Sequence, residues 1–178
     1  LLRTIGEGRS LDVRLADAMT TEPATVTTED SLFDVSRSMD SGELRIQRDG
    51  YSAALSDPAF IGAVESGMLG RIAITYIEWA GQDRQNSVAD WQVIDSAETA
   101  KAFALKVKAT LRDSARGTSI SGALDFSLHA INSNAFKGLR RVIDVSGDGP
   151  NNAGRPVLLA RSDTVSAGVT INGLPLLV

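Results

Sequence analysis

Arg71-Ile72-Ala73-Ile74-Thr75-Tyr76-Ile77-Glu78-Trp79 is the stretch from which the fold is read. β-Branched and aromatic residues alternate along it and Gly81 follows, the pattern of a β-strand. Val88 to Ile94 has the same character, and the polar link Gln82 to Ser87 predicts that the two strands form an antiparallel hairpin. Asp95-Ser96-Ala97-Glu98 then opens a helix, with Ala100, Phe103, Ala104, Val107 and Leu111 at helical spacing. Gly117 interrupts it, and a second helix is expected from Ser119 to Ile131 through Ile120, Ala123, Leu124 and Leu128. Arg141 to Val145 is a short strand running into the turn Ser146-Gly147-Asp148-Gly149-Pro150. Pro156 to Ala167 reads as a helix stopped by Gly168, and Val169 to Leu174 as one more strand.

Strands alternating with amphipathic helices predict an α/β fold: a three-layer, open, mostly parallel sheet with helices on both faces. In such sheets ligands bind beyond the carboxyl ends of the strands, where strand order reverses. Asp148 follows one strand and Thr118 precedes one helix, so both are expected at that crevice.

The first part of the chain has a different texture. Ala24 to Thr28 reads as a short strand. Thr28-Glu29-Asp30-Ser31 then resembles a helix entry, with Leu32, Val35 and Met39 at helical spacing and Gly42 ending the element. Glu29 and Asp30 would be costly as unpaired carboxylates in a buried strand. A further helix is expected from Glu43 to Leu55 through Leu44, Ile46 or Gln47, Tyr51 and Leu55.

Composition narrows the classes. The 178 residues suffice for a sizeable core in one domain, and 43% hydrophobic with 22% charged residues is ordinary for a globular chain. A formal charge of −4 argues against a nucleic-acid groove. No apolar run approaches the roughly 18 residues of a membrane span. Cysteine is absent, which excludes disulfides and thiolate zinc sites and leaves the compartment open. The opening residues lack the apolar core of a signal peptide, so a processed protein or a fragment is expected.

Three motifs carry chemistry: Asp34-Val35-Ser36-Arg37-Ser38, Gly117-Thr118-Ser119 and Ser146-Gly147-Asp148-Gly149. They offer carboxylates and hydroxyls, the hard oxygen donors that a small divalent cation prefers. Geometry ties the first motif to the local structure. In an extended loop residues i, i+2 and i+4 project to one side, whereas on a helix Asp34 and Ser38 share a face that Ser36 leaves. A helix over residues 31 to 40 would therefore dismantle the set.

From about Gly42 to Val178 the chain resembles the von Willebrand factor A-like domains, nearest to a bacterial subgroup of uncharacterised function. The likeness rests on Leu44-Arg45-Ile46-Gln47-Arg48-Asp49-Gly50-Tyr51, the Arg71–Trp79 strand, Gly117-Thr118-Ser119-Ile120-Ser121-Gly122-Ala123-Leu124, and Arg141-Val142-Ile143-Asp144-Val145-Ser146-Gly147-Asp148-Gly149-Pro150-Asn151-Asn152. It implies a metal-ion-dependent adhesion site holding Mg2+ or Mn2+. Ser36, Ser38 and Thr118 would be hydroxyl ligands, with Asp34 and Asp148 holding the ion or its waters. The implied function is a protein-binding module, not an enzyme, whose ion meets an acidic group of a protein partner. Residues 1–41 resemble part of a cystathionine-beta-synthase (CBS) tandem through Val13-Arg14-Leu15-Ala16-Asp17-Ala18-Met19-Thr20-Thr21-Glu22-Pro23 and Ser31 to Met39. That likeness implies a strand followed by a helix, in a segment poorly ordered beside the 42–178 domain, to which residues 34–38 would lend the metal loop. The resemblance also implies a domain truncated at its C-terminus, and a chimeric or truncated chain is the simplest account.

The alternatives are an adenine-nucleotide-sensing CBS-like fragment and a scaffold of this fold with no functional metal site. A metal-dependent hydrolase ranks last, because only Asp144 or Glu78 offers a general base. Thr118 would otherwise cap the helix starting near Ser119, and Asp148-Gly149 would be an ordinary turn. Asp144 is expected to be structural or to support a ligand, and Asn151 and Asn152 to satisfy loop backbone groups. His129 has no triad partner in motif context, and Trp79 and Trp91 are read as packing residues.

Overall fold

The computed structural model describes residues 27–34, 41–109 and 117–175. Five strands form one sheet: β1 (Thr27–Asp34), β2 (Ile72–Trp79), β3 (Gln85–Ile94), β4 (Arg140–Gly147) and β5 (Thr170–Pro175), in the order β3-β2-β1-β4-β5. The helices are α1 (Ser41–Leu55), α2 (Pro58–Glu65), α3 (Ala97–Ala109), α4 (Ile120–Ser133) and α5 (Val157–Ser166). β1 runs parallel to both neighbours, β4 and β5 are parallel, and β3 closes the β2 edge as the antiparallel hairpin partner.

β2 shows why both faces are covered. All its residues are buried, and period-two alternation sends them to opposite sides. Ile72, Ile74 and Tyr76 join Tyr51 and Leu55 of α1, Phe60 and Val64 of α2, and Ala100, Phe103, Ala104 and Val107 of α3. Ile77 and Trp79 join Ala123, Leu124 and Ile131 of α4, Ile143 of β4, and Ala160 of α5. The three-layer α/β architecture expected from the sequence is the one observed, and the hairpin and later helices fall where the periodicity put them.

The N-terminal expectation is corrected. Residues 31–34, read as the first turn of a helix, belong to the central strand, with Ser31 beside Tyr76 and Asp144 and Phe33 beside Glu78 and Ser146. A strand paired on both sides satisfies its backbone groups along its whole length, and that tertiary pairing overrides a weak local helical pattern. Residues 35–40, the remainder of the expected helix, lie outside the described residues.

Candidate metal centre

β1 is the switch point of the sheet: the chain leaves it first to β2 on one side and later reaches β4 on the other. The carboxyl ends of all three strands meet there. Asp34 is the last residue of β1 and stands beside Trp79, the last of β2. Phe33, one residue earlier, is beside Ser146, so the Gly147-Asp148 exit of β4 lies one strand spacing away, about 4.8 Å.

The Thr118 loop is fastened to this edge from two directions. The Ser119 amide donates to the carbonyl of Ala80, just past β2 (2.7 Å). The Thr118 amide donates to Asn152 Oδ1 (2.8 Å), and the amides of Asn152 and Ala153 donate back to the Thr118 carbonyl (2.9 and 3.2 Å). Gly117 supports the approach with φ +87°, a left-handed conformation that glycine alone adopts at no steric cost. A Cβ on Gly149 would stand 3.8 Å from Thr118 Oγ1, which places the hydroxyl against the turn that carries Asp148.

Thr118 is not the helix cap. That role falls one residue later, to Ser119, whose Oγ accepts from the Gly122 amide (3.1 Å) as α4 begins at Ile120. The Ser121 amide donates to Asn151 Oδ1 (3.0 Å), a cap supplied from the loop after β4. These bonds satisfy the donors that a helix N-terminus leaves open. Thr118 is only 4% exposed, and its hydroxyl is left out of the capping of α4. The expectation that Asn151 and Asn152 satisfy loop backbone groups is met by both.

Gly154 packs the loop closed. Its φ is +80°, and a Cβ there would meet Ser119 Oγ at 2.5 Å and Ser121 Oγ at 2.8 Å. Beside it, Arg155 clamps the loop to both helices of this face through Asp125 of α4 (Nε–Oδ2 2.9 Å) and Asp163 of α5 (Nη1–Oδ2 2.6 Å). Those two carboxylates raise the guanidinium pKa further.

On the other face of the sheet, a buried polar network lies under the same edge. Arg48 of α1 pairs with Glu78 of β2, both nearly inaccessible to water. Gln47 Nε2 donates to Ser146 Oγ (3.0 Å), two residues before Asp148. Burial pushes the phenols of Tyr51 and Tyr76 well above their ordinary range; Ser146 bonds the first and Glu78 adds to the rise of the second. Burial also raises Asp144, against the opposing effects of the Asn172 side-chain bond (2.8 Å) and of Arg140. Neither the Arg48–Glu78 pair nor the Arg155 clamp was anticipated. The signal was present: Glu78 interrupts an otherwise apolar strand, and Arg48 lies on the α1 stripe with Tyr51 and Leu55.

The sequence-predicted donors are thus partly assembled. Thr118 and the Asp148 turn are brought together, and β1 delivers Asp34 to the same edge, whereas Ser36 and Ser38 lie outside the described residues. No three His, Cys, Asp or Glu side chains gather among the described residues. The donors described at this edge are the hydroxyl of Thr118 and the carboxylate on the Asp148 turn, both hard oxygen groups. Such a set suits an ion that accepts hard oxygen ligands and retains waters, as Mg2+ and Mn2+ do.

A family model described as "Protein of unknown function (DUF1194)" matches residues 31–178. The chain belongs to the DUF1194 family. The match runs continuously from within β1 to the end of the chain, whereas the CBS likeness over residues 1–41 finds no support. No curated protein matches this DUF1194 sequence.

Solved structures resemble it in fold. Proximal thread matrix protein 1 from the mussel byssus, in a structure with a zinc-occupied MIDAS motif, is 14% identical with a TM-score of 0.65, over 85% of this chain and 38% of that one. The pilus adhesin SpaC from Lactobacillus rhamnosus GG is 13% identical with a TM-score of 0.62, over 84% of this chain and 24% of that one. BatB from Bacteroides thetaiotaomicron, a conserved hypothetical protein, is 18% identical with a TM-score of 0.53, over 84% and 66%. The DUF1194 chain thus spans 38% of the length of the mussel protein. Its fold is of the von Willebrand A-like, Rossmann-related type. Among the described residues, no helix is long and apolar enough to cross a membrane.

Proposed function

We propose that this DUF1194 chain is a protein-binding module whose contact with an acidic group of its partner is made through a bound Mg2+ or Mn2+. The observation that carries this reading is the placement of Thr118. The residue is buried, and its hydroxyl is not used as the helix cap and faces the Asp148 turn at the edge where β1 ends in Asp34. Thr118, Asp34 and Asp148 would hold the ion, with Ser36 and Ser38, which follow β1 in sequence, completing the oxygen set. When bound, the ion supplies an open coordination position that a carboxylate can fill. The chain's own part is to fix donors: hydroxyls and no more than two carboxylates leave such an ion some of its waters, one of which a partner's carboxylate can replace.

A binding role without bond-making chemistry fits the candidate bases. Glu78 is engaged by Arg48 in a buried pair, and Asp144 accepts a hydrogen bond from Asn172, so neither is presented as a free base at the strand ends. The zinc-occupied motif of the mussel protein supports a cation site on this fold, and the pilus adhesin supports an interaction role.

Water-proton relaxation with Mn2+ tests the proposal. The chain is expected to bind Mn2+ with enhanced relaxivity that falls as acetate is added, because a carboxylate replaces metal-bound water. Enhancement that acetate leaves unchanged would contradict the open position, and absence of enhancement would contradict the site itself.

A further inference from the structure

We infer that Asn152 is the positioning residue of this centre: it sets where Thr118 stands relative to Asp148, and so sets the affinity for the ion. The inference rests on the metal-binding reading above. Thr118 has only one covalent route to the Asp148 turn, through the whole of α4 and β4. The direct route is Asn152, which grips the Thr118 residue at both ends. Its side-chain Oδ1 accepts from the Thr118 amide at 2.8 Å, and its own amide donates to the Thr118 carbonyl at 2.9 Å. With φ +87° at Gly117 and a cap role at Ser119, the two residues flanking Thr118 have conformations fixed for other reasons. The Thr118 carbonyl is held by the Ala153 amide as well (3.2 Å) and the next amide by Ala80, so the orientation of the Thr118 amide is what the Asn152 side chain settles.

Neighbouring Asn151 makes an informative contrast. It belongs to the same loop and also spans to the α4 entry, but its Oδ1 accepts from Ser121, inside the helix, and its Nδ2 donates to the Arg155 carbonyl (3.4 Å). Losing it loosens the loop without releasing Thr118. Partners that orient metal ligands typically cost 10–100-fold in metal affinity when removed. A partner that only stiffens the loop does not act on the ion in that way.

The test measures Mn2+ affinity by electron paramagnetic resonance on the full chain and on Asn152→Ala, Asn152→Asp and Asn151→Ala, with melting temperatures recorded without metal. The expected result is a loss of about 10–100-fold in Asn152→Ala, recovery in Asn152→Asp, whose carboxylate still accepts from the Thr118 amide, and a much smaller change in Asn151→Ala. Equal losses in the two alanine variants would overturn positioning and leave a merely structural loop, with the metal site intact. Unchanged affinity in Asn152→Ala would overturn it likewise. If Asn152→Ala does not fold, Asn152→Asp against Asn151→Ala decides: a weaker ion in the aspartate variant than in Asn151→Ala overturns the inference. Failure of the parent chain to bind Mn2+ would remove the metal reading and this inference together, an outcome distinct from all the others.

Discussion

The two faces of the sheet are built on different principles. Under α4 and α5 the interior is mainly apolar and holds no buried ion pair among the described residues: Ile77, Trp79, Leu124, Ile131 and Ile143 pack together, the buried polar groups being neutral ones such as the hydroxyls of Ser127 and Thr164 and Trp79 Nε1. Under α1 to α3 an apolar cluster gives way, toward the strand ends, to Arg48, Glu78, Gln47, Ser146 and the two tyrosines. The apolar face supplies non-directional stability, which any well-packed volume can supply. The polar face supplies direction, because a buried ion pair and a side-chain bond to Ser146 hold α1 at one register beside β2 and β4. The direction is spent beside the candidate centre, since α1 is the helix that follows the Asp34-to-Ser38 motif.

The comparison breaks most sharply with truncations on each side. Trp79→Ala should lower stability by about 3–5 kcal/mol through loss of apolar contact and the cavity left behind, read by chemical denaturation. Glu78→Leu should cost a similar amount, about 3–5 kcal/mol, because it strands a buried guanidinium. The faces then diverge. Adding Arg48→Met to Glu78→Leu should restore stability to near or above the parent, since a buried pair is often replaceable by packed apolar side chains. No second truncation restores Trp79→Ala. If the double variant stays as unstable as Glu78→Leu, the pair contributes more than mutual compensation.

Alkaline pH sharpens the contrast further. Tyr51 and Tyr76 have phenol pKa values raised above the ordinary 10.0 by burial. A group raised on folding contributes stability that is present below its unfolded value and lost as pH climbs toward the folded one. The melting temperature should therefore fall as pH passes above 10, with tyrosinate absorbance appearing only with unfolding. Titration of both phenols in the folded chain near 10 would show the polar face to be open to water. The smallest effect is expected from Ile143→Val on the apolar face, about 0.5–1.5 kcal/mol, by the same denaturation measurement.

How far the sequence reveals this architecture depends on where each element finds its partners. β2, β3 and the later helices are legible because their own periodicity matches the faces they bury. β1 is not. Thr27 to Asp34 is rich in hydroxyl and acidic residues, and Leu32, Val35 and Met39 fall at helical spacing. What makes it a strand is pairing with β2 and β4, which lie far along the chain. Thr118 and Asp148 were legible as an opportunity, because both sit at strand or helix ends. Their fastening was legible only in part: Asn151 and Asn152 read as loop-satisfying residues, but which backbone group each serves is decided by the crossing of two loops. Glu78 read as a possible base, and only the fold supplies Arg48 as its partner.

The most direct test of the central claim is a thermal titration of the chain and of Asp148→Ala with Mg2+ and with Mn2+. Ligand that binds only the folded state stabilises it by about 2.7 kcal/mol at one hundred times its dissociation constant, so a saturable rise in melting temperature is predicted for the parent and not for the variant. A flat response to both ions in the parent chain, or an equal rise in Asp148→Ala, would contradict the account.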